Sequence, residues 1–286
     1  MKVILKIIFV LISIFIFFTG VSNAANISNK QGLFTLQSGD YRVAISRDCK
    51  YTMALIEWKD YKIVPLTGYG YNGAVLVYPP KGFVGCGHTE GGLEENVKSF
   101  SMSADGLIVV PEPGKIYSAQ KFIIKKISML GNLQLTSEIE LTPNGIRVTR
   151  DLFAADNQQI TYLYIFMFCF SNKFKDWYVM KLDSNSAEGT FMDSEKFLHN
   201  KNVKWAAMFD PLANKGVGLF YPQTINDKNS KTTFWDRKGD NKFYLFFDVP
   251  KNVEKGFSTV PKTVVVRAFE AEKFNWKSIA ESTLSE

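Results

Sequence analysis

The stretch LQLTSEIELTPNGIRVTRDL, residues 133–152, decides the fold class. Leu133, Leu135, Ile139 and Leu141 fall at even spacing, as side chains on one face of an extended strand do. Pro143-Asn144-Gly145 then reverses the chain, because Asn and Gly tolerate the positive φ that a tight hairpin turn requires. Ile146, Val148, Arg150 and Leu152 resume the period of two on the return strand. The segment therefore reads as a β-hairpin with one face in a core.

The same punctuation runs outward in both directions. Leu33–Gln37 and Tyr41–Ser46 flank the turn Ser38-Gly39-Asp40, and Thr52–Trp58 and Tyr61–Val64 flank Lys59-Asp60. Thr161–Ser171 carries apolar and aromatic residues at both parities, so it reads as a central strand buried on both sides. Lys204–Phe209 and Gly216–Tyr221 form a further hairpin across Asp210–Lys215. Lys242–Val249 and Thr263–Phe269 read as the last long strands, and only Trp276–Leu284 has helical character. Roughly fifteen strand candidates at this spacing indicate an antiparallel sandwich or barrel. No low-complexity linker divides them and no fixed-length unit recurs, which argues against a propeller or solenoid. The expectation is an all-β protein, a large antiparallel β-sandwich with one short C-terminal helix.

The first residues read as an export signal. Lys2 and Lys6 precede an apolar run from Ile7 to Phe18, and Ser22-Asn23-Ala24 supplies small residues at the cleavage positions. The run is short for a membrane span, which takes about 20 residues. Residues 1–24 are thus expected to be a signal peptide and residues 25–286 a single domain, secreted or periplasmic, with no stable membrane span after cleavage. Loss of Lys2 and Lys6 lowers the formal charge from +6 to +4. The remaining excess is scattered, with Lys125-Lys126 and Arg237-Lys238 its only basic doublets, so nothing points to nucleic acid. The three cysteines, Cys49, Cys86 and Cys169, cannot form a disulfide scaffold. Cys169 lies among phenylalanines and reads as a buried small apolar residue, whereas a Cys49–Cys86 pairing is left open.

Chemistry concentrates in Gly85-Cys86-Gly87-His88-Thr89-Glu90-Gly91-Gly92-Leu93-Glu94-Glu95. This segment holds one of only two histidines in the chain, four glycines and three carboxylates. His88 and Glu90, two apart, share a face in an extended segment, and a carboxylate beside an imidazole can orient it for acid or base work. The spacing His88-x-Glu90-x-x-x-Glu94 also resembles a degraded cupin metal motif, while a plain surface turn capped by Glu90 is the competing structural reading. His199, between Leu198 and Asn200, reads as an exposed loop histidine.

Sugar sites combine flat apolar rings with planar polar groups. Tyr69, Tyr71, Trp177 and Trp235 lie in polar or glycine-rich surroundings that would expose them, and Asp236 and Arg237 follow Trp235 directly. Arg147 and Arg150, next to Asp151, have the charge to clamp an acidic sugar. No nucleophile elbow, phosphate loop, Cys-x-x-Cys pair or dinucleotide fingerprint is present, and no cofactor is indicated.

Three segments carry a family resemblance. Leu36–Ile45, with Tyr51–Trp58 and Lys62-Ile63-Val64-Pro65-Leu66, resembles the opening strands of galactose mutarotase-like supersandwich domains. The hairpin Trp205–Asp210 and Gly216–Phe220 is similar to a recurrent hairpin of that superfamily. The resemblance implies a supersandwich with mono-, oligo- or polysaccharide recognition on a concave sheet face. It also implies, if the protein is an enzyme, an aldose epimerase-like isomerase or polysaccharide lyase. Under that implication His88 would be the acid, Glu90 its partner, Glu270 at the end of the last long strand the base, and His199 the second histidine. Glu94, Tyr69, Tyr71, Arg147, Trp177, Trp235, Asp236 and Arg237 would contact the sugar.

Overall fold

The computed structural model describes residues 32–66, 72–223, 225 and 230–285. The expected signal peptide, Tyr69 and Tyr71 lie outside the described residues. Among those described, no helix is long and apolar enough to cross a membrane.

Strand β1 (Leu33–Ser38) pairs with β2 (Tyr41–Ser46), β2 with β3 (Thr52–Trp58), and β3 with β4 (Tyr61–Val64). The short strand β9 (Ile116–Ser118) adds in parallel to β1 and completes a five-stranded sheet. A six-stranded sheet has the order β17 (Lys196–Asn200), β20 (Lys231–Asp236), β21 (Asp240–Phe246), β14 (Tyr162–Ser171), β5 (Val75–Tyr78) and β6 (Gly82–Val84).

The ten-stranded sheet is ordered β16 (Ser186–Thr190), β15 (Asp176–Lys181), β18 (Val203–Asp210), β19 (Lys215–Phe220), β23 (Lys262–Glu270), β12 (Gly145–Ala154), β11 (Leu133–Thr142), β10 (Phe122–Leu130), β7 (Asn96–Ala104) and β8 (Leu107–Val109). A two-stranded ribbon, β13 (Gln158–Gln159) with β22 (Asn252–Val253), brings the strands among the described residues to 23. The strands beyond the roughly fifteen anticipated are mostly of two to five residues, too short to show a period.

One buried cluster runs through all three large sheets. It takes Phe34, Val43 and Ile56 from the five-stranded sheet and Leu76, Phe168 and Phe243 from the six-stranded one. Ile124, Leu135, Val148, Leu219 and Val266 come from the ten-stranded sheet. The ten-stranded sheet thus faces the two smaller ones across a shared core, an all-β sandwich as the hairpin at 133–152 predicts. Helix α1 (Trp276–Leu284) covers the other side of the ten-stranded sheet. Its nine residues are too few to be stable alone. Packing holds it: Trp276, Ala280 and Leu284 recur every four residues, and the Trp276 ring stacks on Phe209 at 5.2 Å. Gly218 makes this approach possible, since a Cβ there would stand 2.2 Å from Leu284 Cδ1.

The apolar period is broken in register on three neighbouring strands. On β10 the inward series Phe122, Ile124 and Leu130 is interrupted by Lys126 and Ser128, on β11 by Ser137, and on β12 by Arg150. Lys126 lies opposite Ser137, and Ser137 opposite Arg150, so the polar side chains form one seam inside the sandwich. Arg147 and Arg150, three apart, point to opposite faces, so they do not form a joint clamp. Arg147 is exposed, across from Glu140. Arg150 is buried; it donates to the Ile165 carbonyl at 2.7 Å and to Ser137 Oγ at 3.4 Å, with its guanidinium 5.2 Å from the Phe166 ring. Desolvation lowers its pKa to about 10, and it stays cationic at neutral pH.

Glu95 completes the seam. Its Oε1 accepts from Lys126 Nζ at 2.6 Å and Ser128 Oγ at 2.7 Å, and both partners of the ion pair are nearly free of solvent. Removing one member of such a pair strands a buried charge and costs about 3–5 kcal/mol, whereas removing both costs less. Glu95→Gln and Lys126→Met should each lower stability on that scale in denaturant titrations. The double variant should lose clearly less than the sum, and additive losses would show the pair to be uncoupled.

Candidate functional site

The chain between β6 and β7 turns back on itself through left-handed backbone. Gly85, Cys86, Gly87, Gly91 and Gly92 all have positive φ. At Gly85 a side chain is excluded, since a Cβ would sit 2.2 Å from the Ala74 carbonyl oxygen. His88 N donates to Gly85 O at 2.9 Å, and Phe83 N to Glu90 O at 2.7 Å, so the loop folds onto the edge of the six-stranded sheet. Glu95 Oε2 accepts from Cys86 N at 3.1 Å and ties this loop to the buried seam.

His88 and Glu90 meet, as their spacing suggests, but through a turn rather than a strand. His88 Nδ1 lies 2.9 Å and 3.0 Å from the two Glu90 carboxylate oxygens, and Thr89 N donates to the same carboxylate at 2.9 Å. Desolvation works to raise the Glu90 pKa, but the hydrogen bond and charge of His88 and the backbone donors outweigh it and hold the carboxyl below its ordinary value. Glu94 is exposed and ion-paired with Lys50. Among the described residues no group of three or more His, Cys, Asp or Glu side chains is assembled as a metal site requires. All three cysteines are buried and free, so Cys49 and Cys86 are not paired.

The His88 ring lies 5.8 Å from that of Phe83 on β6. Phe83 belongs to a second cluster, on the face of the six-stranded sheet turned away from the main core. Val75, Cys86, Met167 and Tyr244 form its buried floor, with Tyr164, Trp235 and Phe246 half-buried around them. Strand alternation separates the two sides: Phe234, Phe243, Leu245 and Phe168 point into the main core, and their neighbours Trp235, Tyr244, Phe246 and Met167 point outward.

A belt of rings follows. Phe197 lies 5.6 Å from Trp235, Trp235 6.4 Å from Tyr244, Tyr244 4.9 Å from Tyr164, Tyr164 4.6 Å from Phe246, and Phe246 6.2 Å from Tyr162. Its two ends are open to solvent, with Phe197 55% and Tyr162 54% exposed. Burial raises the Tyr164 pKa to about 12 and pushes Tyr244 higher still, so both hydroxyls remain protonated at neutral pH.

The other expected site residues are placed as follows. Trp235 and Arg237 join the belt, with the guanidinium 4.8 Å from the indole centre and 3.1 Å from Asp240. Asp236, one residue on, points to the opposite side and is fully buried. Its carboxylate accepts from the backbone N–H groups of Met192, Asp193 and Ser194 and from Ser194 Oγ, so it holds a loop and is not offered to a ligand. Trp177 is likewise buried, against Phe234 and His199. His199 is not an exposed loop residue: a register shift between Phe197 and Asn200 accompanies its turn inward, and burial lowers its pKa. Glu270 is engaged by Lys59 and Lys215 on the ten-stranded sheet, apart from the His88 loop.

Sequence reasoning did not single out Phe83, Tyr162, Tyr164, Phe197, Tyr244 or Phe246. The available signal was the alternation Lys242-Phe243-Tyr244-Leu245-Phe246, in which ring-and-charge positions interleave with purely apolar ones.

Solved structures share this architecture. A galactose mutarotase-like protein from Lactobacillus casei superposes with a TM-score of 0.51 at 12% identity, over 83% of this chain and 100% of its own. The chain has the galactose mutarotase-like fold. The GH36 α-galactosidase AgaA of Geobacillus stearothermophilus, solved as a variant with 1-deoxygalactonojirimycin, matches at a TM-score of 0.53 and 9% identity over 83% of this chain. The α-N-acetylgalactosaminidase of Bifidobacterium bifidum, in a GalNAc complex, matches at 0.53 and 6% over 87%. The chain spans 40% and 39% of the length of these two enzymes. No family model and no curated protein matches the sequence.

The His88–Glu90 bond can be read directly. In a carbon-13 titration the Glu90 carboxyl should titrate below its ordinary value of 4.5, and His88→Ala should move it upward. A midpoint indifferent to that substitution would show that the two groups do not interact in solution.

Proposed function

We propose that this is an exported carbohydrate-recognition protein whose site is the outer face of the six-stranded sheet. The observation that carries the reading is the ring belt from Phe197 to Tyr162, exposed at both ends and bordered by His88, Arg237, Asp240 and the tyrosine hydroxyls. Apolar sugar faces stack on such rings, and planar polar groups at their margins accept and donate to hydroxyls. The likeness in fold to sugar-handling proteins supports the same reading. The apolar run after Lys6 supports export.

Phe197→Ala and Tyr162→Ala test it. Each removes an exposed ring and should weaken saccharide binding about tenfold, the loss of roughly 1.4 kcal/mol of stacking. Because neither ring is core, the melting temperature should move by no more than about 2 °C. Calorimetry against a panel of mono-, oligo- and polysaccharides provides the measurement, and a panel in which nothing binds rejects the proposal.

A second reading, catalysis, is favoured by one observation: Glu90 fixes the His88 ring at the rim of this face. A sugar isomerase or lyase would use that imidazole as acid or base. His88→Ala should then abolish turnover with the melting temperature nearly unchanged, while undiminished turnover would show that His88 is not the acid or base.

A further inference from the structure

We infer that the saccharide is a linear chain of several sugars, laid diagonally across β17, β20, β21 and β14, and not a single sugar. This rests on the assignment of the site to the outer face of the six-stranded sheet. Strand register fixes how far apart the two open ends of the ring belt stand. Phe197 on β17 is paired with Trp235 on β20, and Trp235 with position 242 on β21. Tyr244 and Phe246 follow two and four residues along β21, and Phe246 is paired with Tyr164 on β14. Tyr162 lies two residues further in the same direction. Phe197 and Tyr162 are therefore three strand spacings apart across the sheet and six residues apart along it. At the usual dimensions that is about 14 Å one way and about 20 Å the other, or about 25 Å corner to corner. One sugar ring covers only a small part of that distance.

Exposure divides the contact between the ends. Phe197 and Tyr162 are more than half exposed, Trp235, Tyr164 and Phe246 between them are half-buried, and Tyr244 is the buried floor. A single sugar can stack on one open ring and leaves the other in water. A chain stacks on both and passes over the half-buried rings on the way. Neighbouring ring centres along the belt are 4.6–6.4 Å apart, a step comparable with one sugar residue of a chain. The ring planes also turn. Neighbours are inclined by 32° and 28° at the Phe197 end and by 83° at the Tyr162 end. Sugars joined by rotatable glycosidic bonds follow such a turn, and a rigid fused-ring ligand does not.

Chain length is the variable that tests this. Linear β-1,4-linked oligomers of glucose, mannose and galactose, from one to six residues long, are titrated calorimetrically into the full chain. Any other linkage found to bind in the saccharide panel is extended to the same lengths. The six-residue oligomer reaches both open rings and the two-residue oligomer only one. In a series that binds, the longer should therefore bind about tenfold more tightly, the worth of one further ring. Phe197→Ala and, separately, Tyr162→Ala should each weaken the six-residue oligomer about tenfold and bring it level with the two-residue one. An affinity that does not rise with length overturns the inference and leaves saccharide recognition standing. A gain with length that survives both substitutions overturns the inference together with the assignment of the site to this face. Failure of every saccharide, at every length, overturns the inference and the functional reading together.

Discussion

The ion pair between Glu95 and Lys126 is the constraint on which the functional end of the molecule depends. Glu95 enters the chain immediately after the glycine-rich loop, yet its carboxylate is satisfied inside the sandwich by Lys126 and Ser128 of one sheet and by the Cys86 amide of that loop. A buried carboxylate that lost these donors would bear the full cost of desolvation, several kcal/mol. The loop that carries His88 is consequently fastened to the ten-stranded sheet through its base, while its rim is free to present polar groups. Glycine and a left-handed Cys86 supply the curvature, and the buried charge pair selects one curvature among many.

The two faces of the six-stranded sheet divide the work. The inward face adds Phe168, Phe234 and Phe243 to the common core and makes the sheet rigid. The outward face carries a belt of rings that the described residues leave uncovered at Phe197 and Tyr162. Such exposed surface needs a reason in a folded protein. The saccharide we propose, apolar on its flat sides and polar at its edges, would suit a belt that is aromatic in the middle and charged at its margins.

Much of the fold was legible in the sequence because period-two alternation is a local property, and the hairpins at 33–46, 52–64, 133–152 and 204–221 announce themselves by their turns. The helix at 276–284 was equally plain. The short strands β8, β9, β13 and β22 were not, since two or three residues cannot display a period. The site was legible in part. His88 with Glu90, and Trp235 with Arg237, stood out as unusual residues in polar company. Asp236 and Trp177 looked the same in sequence and turned out to be structural, because parity along a strand, not composition, decides which side a residue takes. The polar seam was readable in hindsight: Lys126, Ser128, Ser137 and Arg150 occupy positions where the pattern calls for apolar residues, and such breaks mark either error or purpose.

The ring belt gathers residues from distant parts of the chain. Phe83 comes from one hairpin, Tyr162 and Tyr164 from a strand some eighty residues on, and Phe197, Trp235, Tyr244 and Phe246 from strands later still. Contacts of such separation form late, after most loop-closure entropy has been spent. The ring belt therefore does not exist in a nascent or partly collapsed chain; it appears only once the sheets have closed, and any ligand that bound it would act as a thermodynamic latch on the finished state.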